Sequence, residues 1–167
     1  VMLGDNLLMD THASAEHYAA SHASKRLVEA FAATGEATVG LMEVEAAAVS
    51  NYGIVAVNEG RIVEVVEKPA PEDAPSRLAM CGRYVFPSET QDLLKTYTYE
   101  AHGDLQSIAL HEHWMRAGSL HGVVLDDTQW YDSGAPMLWL QAQVDHALRR
   151  EDVRESFEAW LNQRLQR

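Results

Sequence analysis

Residues 52–67, YGIVAVNEGRIVEVVE, decide the fold class of this 167-residue chain. Two β-rich runs, 52–57 and 61–67, are separated by Asn58-Glu59-Gly60, a short turn that suggests a hairpin. Earlier, residues 37–44 are almost continuously apolar, which is the pattern of a strand covered on both faces. The sequence therefore predicts a sheet in which at least one hairpin makes the strand directions mixed.

Helical patterns alternate with these strands along the whole chain. They are an Ala-rich stretch from about Ser14 to Thr34, a segment capped by Asp104 that ends near Gly118, a helix that begins at Pro136, and a last amphipathic helix around Phe157. We expect Met137, Leu140, Val144 and Leu148 to face inward on the third of these, and Val153, Phe157, Trp160, Leu161 and Leu165 on the last. Alternating strands and helices predict an α/β fold, with a mixed, mainly parallel sheet flanked by helices. We interpret residues 1–167 as one domain.

The first residues suggest that the fold is incomplete at its N-terminus. Val1-Met2-Leu3 is typical of the inside of a buried strand, and Gly4-Asp5-Asn6 follows as a turn. Natural chains begin with methionine, so we expect a fragment that exposes an apolar edge. Asp5 would end this buried strand, where α/β proteins place ligands.

Charge and composition argue against nucleic-acid and membrane partners. The formal net charge of -12 disfavours nucleic acid and anionic membrane surfaces, although a small phosphate ligand remains compatible with it. No apolar run approaches the roughly 20 residues that a membrane helix needs. The one cysteine, Cys81, fits a reducing cytoplasm and is expected to be a buried structural thiol.

His111-Glu112-His113 is the one motif that suggests a histidine metal site. Histidines two positions apart on a helix do not share a face, so this pair cannot chelate one ion. We expect both side chains to be partly exposed.

Four short segments are similar to the sugar-1-phosphate nucleotidyltransferases. They are Leu3-Gly4-Asp5-Asn6, Val66-Glu67-Lys68-Pro69, Cys81-Gly82-Arg83-Tyr84-Val85 and Trp130-Tyr131-Asp132-Ser133-Gly134. Residues 67–76 and 82–85 resemble the bacterial UTP–glucose-1-phosphate uridylyltransferase branch in particular, as do residues 103–106 and the tail 131–157. The resemblance implies a Rossmann-like nucleotidyltransferase fold.

The resemblance also implies a reaction and a set of site residues. The family joins a sugar 1-phosphate to a nucleoside triphosphate and releases pyrophosphate, here with UTP and glucose 1-phosphate as substrates. Asp5 and Asp132 would bind Mg²⁺, and Lys68 would contact the sugar phosphate. Glu67 would accept hydrogen bonds from glucose hydroxyls, and Gly53 would let the sugar approach the backbone. We expect Gly53, Glu67 and Lys68 to line one cleft with Asp5, in a cytoplasmic homo-oligomer.

Each residue also has an ordinary structural interpretation. Asp5, Asp132 and Gly53 could be turn or helix-entry residues, and Glu67 and Lys68 could be solvated charges at a strand end. The Gly-rich, phosphate-cradling segment of the family would precede Val1, so we expect the chain alone to be inactive. Two alternatives stay open: a sugar-phosphate thymidylyltransferase, and a non-catalytic nucleotidyltransferase-like binding module.

Overall fold

The computed structural model describes residues 1–9, 21–102 and 107–166, and the chain divides into two units. Unit 1 contains Val1–Met2 and Ser24–Asp126, and unit 2 contains Leu3–Ala23 and Asp127–Arg167. The interpretation of residues 1–167 as one domain stays a prediction. The segment 103–106, part of the family resemblance, and residues 14–20 of the Ala-rich stretch lie outside the described residues.

The described residues contain seven strands and six helices. In chain order they are β1 (Asn6–Met9), α1 (His22–Thr34), β2 (Ala37–Glu43), β3 (Gly53–Asn58), β4 (Arg61–Glu67), β5 (Leu78–Val85), α2 (Thr90–Lys95), α3 (Tyr99–His102), α4 (Ser107–Arg116), β6 (Leu120–Val124), β7 (Gln129–Asp132), α5 (Pro136–Arg149) and α6 (Arg154–Leu165). Two short 3₁₀ turns, Ala46–Asn51 and Pro71–Asp73, flank the hairpin. The α/β class predicted from the sequence is confirmed.

The strands of unit 1 form a closed sheet in the order β2-β5-β3-β4-β6, with β6 pairing back to β2. The predicted hairpin is its β3–β4 pair, in which Gly53 lies opposite Glu67 and Asn58 opposite Arg61. Glu59 and Gly60 have φ of 48° and 82°, as the tight two-residue turn of a hairpin requires.

Strand direction differs from the predicted mainly parallel arrangement. Among the described strands, β2–β6 is the one parallel pairing, and the other pairings are antiparallel. The apolar run in β2 suggested parallel strands because such strands are covered on both faces. A closed sheet also covers both faces of β2, with Val39 in the interior core and Gly40 packed beneath Cys81 and Leu125. Continuous apolarity therefore reports burial and not strand direction.

Helix α4 packs against β4 and β6 and places His111 in the interior of unit 1. The imidazole makes an edge contact with the Tyr84 ring, with ring centroids 4.4 Å apart, and neither of its nitrogens has a hydrogen-bond partner among the residues that the structure describes. Burial lowers the pKa of His111 from 6.5 to about 4, so the side chain is neutral at pH 7. The expectation that His111 is partly exposed is therefore wrong, whereas His113 is exposed. Helical spacing excluded shared chelation but could not show which face α4 buries.

Cys81 is fully buried in β5, and its sulfur packs over Gly40. A Cβ added to Gly40 would lie 2.9 Å from this sulfur, so the pair is closely fitted. Burial raises the pKa of the thiol to about 12. The prediction of a structural thiol is confirmed.

Unit 2 pairs β1 with β7 and packs α5 against β7 and α6. Pro136 begins α5, as predicted. The predicted inward faces are only partly covered, since Met137 is 65% exposed and Leu165 is 76% exposed. A two-stranded sheet offers these helices little area to pack against. No helix in the described ranges has the length and apolar character needed to cross a membrane.

Candidate active site

Asp5 and Asp132 lie beside each other at one end of the β1–β7 pair. Asn6 is directly opposite Asp132 in the antiparallel register, and Ser133 donates from both its backbone N and its Oγ to the Asp5 carbonyl oxygen, at 2.7 Å each. Asp132 is therefore directly across the strand pair from the residue that follows Asp5. The sequence separates the two aspartates by 127 positions, and the strand pairing brings them together.

Each aspartate has one carboxylate oxygen bound by the protein. Asp5 Oδ1 accepts a hydrogen bond from Asn6 Nδ2 at 2.7 Å, and Asp132 Oδ1 accepts one from the Gly134 backbone N at 3.0 Å. Within the described part of the chain, the second oxygen of each carboxylate accepts no hydrogen bond. Asp5 is exposed and Asp132 is half-buried, so both can reach a ligand.

This donor set suits Mg²⁺, which takes hard oxygen ligands and usually keeps several waters beside one or two carboxylates. The residues described contain no cluster of three or more histidine, cysteine or acidic side chains that could hold a metal. Two neighbouring carboxylates with unbound oxygens are sufficient for a cation that also binds phosphate oxygens.

The strand position predicted for Asp5 needs correction. Asp5 does not end a buried strand: it lies in a turn before β1, and Val1 and Met2 are 66% and 69% exposed. Met2 pairs with Arg83 through a single bridge. The turn at residues 4–5 was predicted correctly, and the regular strand begins just after it.

Sequence reasoning missed Asn6, which is 8% exposed and contacts Asp5 directly. Its amide also accepts a hydrogen bond from the Trp130 indole Nε1 at 2.7 Å. The one available signal was an asparagine next to the first aspartate.

Tyr131, one residue before Asp132, anchors β7 to α5. Its hydroxyl donates to Asp145, and burial together with this bond raises the pKa of Tyr131 to about 12. The side chain is 3% exposed, which makes it a structural residue and not a sugar-stacking surface. Asp132 therefore extends from a strand that is tethered to the following helix.

Gly53, Glu67 and Lys68 lie together at the open end of the hairpin in unit 1. Gly53 is opposite Glu67, and the Lys68 backbone N donates to the Tyr52 carbonyl oxygen at 3.0 Å. A Cβ on Gly53 would lie 2.9 Å from Glu67 Oε2 and 2.5 Å from the Met80 methyl. The glycine therefore allows the Glu67 carboxylate to lie over the backbone.

Lys68 adopts a left-handed backbone conformation, with φ of 49°. This conformation costs a residue with a Cβ about 1–2 kcal/mol, and the following Pro69 further restricts the residue before it. Such strain at a single position is a feature of functional sites. The strain therefore makes Lys68 a candidate for a functional role.

The Lys68 ammonium differs from the other two lysines of the chain. Lys25 pairs with Glu29, and Lys95 pairs with Asp92. In the ranges 1–9, 21–102 and 107–166, neither the Lys68 ammonium nor the Glu67 carboxylate has a hydrogen bond or ion pair. Both side chains are exposed and able to bind a ligand.

The predicted site residues thus fall into two groups, each defined within its own unit. Asp5 and Asp132 belong to unit 2, and Gly53, Glu67 and Lys68 belong to unit 1. The expectation that Gly53, Glu67 and Lys68 line one cleft with Asp5 stays a prediction.

Known proteins resemble this chain along most of its length. A UTP–glucose-1-phosphate uridylyltransferase of Streptococcus pyogenes is 32% identical over 168 residues, which cover 96% of this chain and 53% of that protein. A UTP–glucose-1-phosphate uridylyltransferase of Bacillus subtilis is 30% identical, over 100% of this chain and 54% of that protein. The chain spans about half the length of the curated relatives it matches.

Solved structures agree with the predicted nucleotidyltransferase fold. A UDP-glucose pyrophosphorylase of Acinetobacter baumannii superposes with a TM-score of 0.80 at 21% identity, covering 97% of this chain and 55% of that one. The family model described as nucleotidyl transferase matches residues 2–147. The predicted resemblance is confirmed, and the chain belongs to the nucleotidyl transferase family.

Proposed function

We propose that the protein containing this chain transfers a uridylyl group from UTP to glucose 1-phosphate, giving UDP-glucose and pyrophosphate. The observation that carries the proposal lies at the open end of the hairpin, which we call the hairpin end. There the exposed side chains of Glu67 and Lys68, which have no partner among the described residues, adjoin the buried Gly53. The curated relatives described above are named for this reaction.

The hairpin end has the chemistry needed for a sugar phosphate. Lys68 supplies a compact positive charge for the phosphate, and Glu67 supplies acceptor oxygens for sugar hydroxyls. The backbone at Gly53 is free of a Cβ, although Glu67 and Met80 occupy the space where a Cβ would lie. We therefore assign Gly53 the task of seating Glu67, and a sugar would reach its backbone when the flexible ends of Glu67 and Met80 move aside.

Asp5 and Asp132 have the chemistry needed for a divalent cation. We propose that their unbound oxygens hold Mg²⁺, which when bound neutralises negative charge on the phosphates. Gly134 keeps one oxygen of Asp132 engaged, and Asn6 does the same for Asp5. The carboxylates would therefore be held in fixed orientations toward the cation.

The reaction is an in-line displacement at the α-phosphorus of UTP. A phosphate oxygen of glucose 1-phosphate forms a bond to this phosphorus while the bond to the pyrophosphate oxygen breaks. Lys68 would orient the attacking phosphate, and Glu67 would fix the sugar ring, so that the attacking oxygen stays aligned.

The direct test measures pyrophosphate release from UTP and glucose 1-phosphate by the protein encoded by the complete gene. We expect release that requires Mg²⁺ and is slower when dTTP replaces UTP. Faster release with dTTP would instead support the thymidylyltransferase alternative. Binding of glucose 1-phosphate without turnover would support the non-catalytic alternative. Cytoplasmic location and a homo-oligomeric state are further proposals, which fractionation and light scattering would test.

A further inference from the structure

A chain of hydrogen bonds leads from the Trp130 indole through Asn6 to the Asp5 carboxylate. Trp130 Nε1 donates to Asn6 Oδ1 at 2.7 Å, and Asn6 Nδ2 donates to Asp5 Oδ1 at 2.7 Å. An indole N–H can only donate, so the Asn6 atom that faces it must be the carbonyl oxygen. The amide nitrogen is then the atom that faces Asp5. The indole thereby fixes the orientation of the amide.

Asn6 lies next to both aspartates in the β1–β7 pair. Its side chain donates to Asp5, while the residue itself lies directly opposite Asp132 across the strand pair. At 8% exposure the amide is largely removed from water, and a buried polar group is held firmly when its hydrogen bonds are made. A neutral donor at this point binds the Asp5 carboxylate without adding a third negative charge.

We propose that Asn6, oriented by Trp130, is a positioning residue that sets the Asp5 carboxylate for binding a divalent cation. This proposal rests on the proposed function, because it takes Asp5 as a cation ligand. Engaging Oδ1 leaves Oδ2 as the oxygen for the cation. Hydrogen-bond partners of metal ligands commonly fix ligand orientation in this way, and losing one costs about 10–100-fold in metal affinity.

The test measures Mn²⁺ binding by electron paramagnetic resonance in the presence of UTP, which does not depend on turnover. In the protein encoded by the complete gene, Asn6→Leu should weaken Mn²⁺ binding about tenfold, because it removes the donor while keeping a similar volume. Asn162→Leu is the matched control: it makes the same change at an exposed position on α6 and should leave Mn²⁺ affinity unchanged.

A double-mutant cycle separates positioning from simple structural support. Trp130→Phe keeps an aromatic ring but removes the indole donor, and should weaken Mn²⁺ binding about threefold. Since Trp130 is proposed to act through Asn6, adding Trp130→Phe to Asn6→Leu should cause no further loss. If Asn6→Leu fails to fold, as thermal unfolding would reveal, Trp130→Phe alone carries the test.

The outcomes distinguish this proposal from the proposed function. The positioning role would be overturned if Asn6→Leu bound Mn²⁺ with wild-type affinity, even if the enzyme were active. If Asn6→Leu does not fold, the same result in Trp130→Phe would overturn it. Fully additive losses in the cycle would overturn the relay through Asn6. Absence of Mn²⁺ binding in the wild type would overturn the metal assignment of Asp5, and the positioning role with it. Weakened binding in a protein without uridylyl transfer would support the positioning role and reject the proposed function.

Discussion

The two groups of candidate residues are held in place by different means. At the hairpin end, Lys68 extends from a strained left-handed backbone, and neither it nor Glu67 has a described partner. At the β1–β7 end, neither Asp5 nor Asp132 has a positive φ, and each has one carboxylate oxygen fixed by a hydrogen bond. The hairpin end thus relies on main-chain conformation, and the aspartate pair relies on neighbouring side chains and amides.

The difference matches the ligands proposed for each group. A cation requires oxygen atoms at well-defined distances, so orienting carboxylates through hydrogen bonds is effective. A lysine acts on phosphate as a point charge and tolerates more variation in its side chain, provided that its backbone directs it correctly. Substitutions should therefore affect the two groups in distinguishable ways.

Removing either aspartate should have the largest effect. Asp5→Ala or Asp132→Ala should lower Mg²⁺-dependent pyrophosphate release about a thousandfold, equivalent to about 4 kcal/mol, because charge neutralisation of the phosphates is lost. The thermal unfolding temperature should change little, because both carboxylates are proposed to bind a cation and not to hold structure. Asp152→Ala, which removes an exposed carboxylate of unit 2, is the control. Wild-type rates in both aspartate variants would refute the metal assignment.

Acid should destabilise the unit that carries the hairpin. The pKa of buried His111 is lowered from 6.5 to about 4, so its contribution to stability is complete above pH 6.5 and is lost as pH falls toward 4. The drop from 6.5 to about 4 corresponds to about 3 kcal/mol of unfolding free energy. Denaturant unfolding at several pH values would measure this loss.

His111→Leu provides the matched test of the acid effect. The variant should lose most of this pH dependence and gain about 1 kcal/mol of unfolding free energy at pH 7, because it removes two buried nitrogens that have no hydrogen-bond partner in the described part of the chain. His113→Leu, on the exposed face of the same helix, should keep the wild-type pH dependence. An equal pH dependence in His111→Leu and wild type would assign the acid effect to other groups.

Two substitutions at Lys68 separate the side chain from the backbone. Lys68→Ala and Lys68→Gly should both raise the KM for glucose 1-phosphate and lower turnover, together reducing kcat/KM about thirtyfold, because the phosphate contact is lost. The free energy of unfolding should be about 1 kcal/mol higher for Lys68→Gly than for Lys68→Ala, because glycine adopts the left-handed conformation without strain. Equal stability of the two variants would contradict the proposed strain. An unchanged response to glucose 1-phosphate in Lys68→Ala would instead reject the phosphate contact.

Gly53→Ala should have the smallest effect. Its Cβ would meet the ends of two flexible side chains, Met80 and Glu67, so unfolding free energy should fall by only about 1 kcal/mol. Displacement of the Glu67 carboxylate should raise the KM for glucose 1-phosphate about threefold with little change in turnover. Gly4→Ala, at a position with open space around it, should alter neither quantity.

The sequence predicted the features that depend on local pattern. The Asn58-Glu59-Gly60 turn and the start of α5 at Pro136 follow from residue chemistry within a few positions. The strand directions, the burial of His111 and the contact between Asn6 and Trp130 depend on which segments pack together. Asn6 and Trp130 are 124 positions apart, so their hydrogen bond exists only because β1 and β7 pair in one register. The sequence around Asn6 and the sequence around Trp130 do not predict that these two segments pair.

The buried thiol of Cys81 makes the chain convenient for spectroscopic labelling. A fully buried sulfhydryl with a pKa of about 12 is almost never a thiolate at neutral pH, so maleimides and thiol-reactive nitroxide reagents should not react with it. The chain then behaves toward these reagents as if it contained no cysteine. Cysteines introduced in pairs, one at exposed Asn58 and one at exposed Gln129, would be the sites that react. Electron–electron distances between two such labels would report whether substrates bring the hairpin and the aspartate pair together.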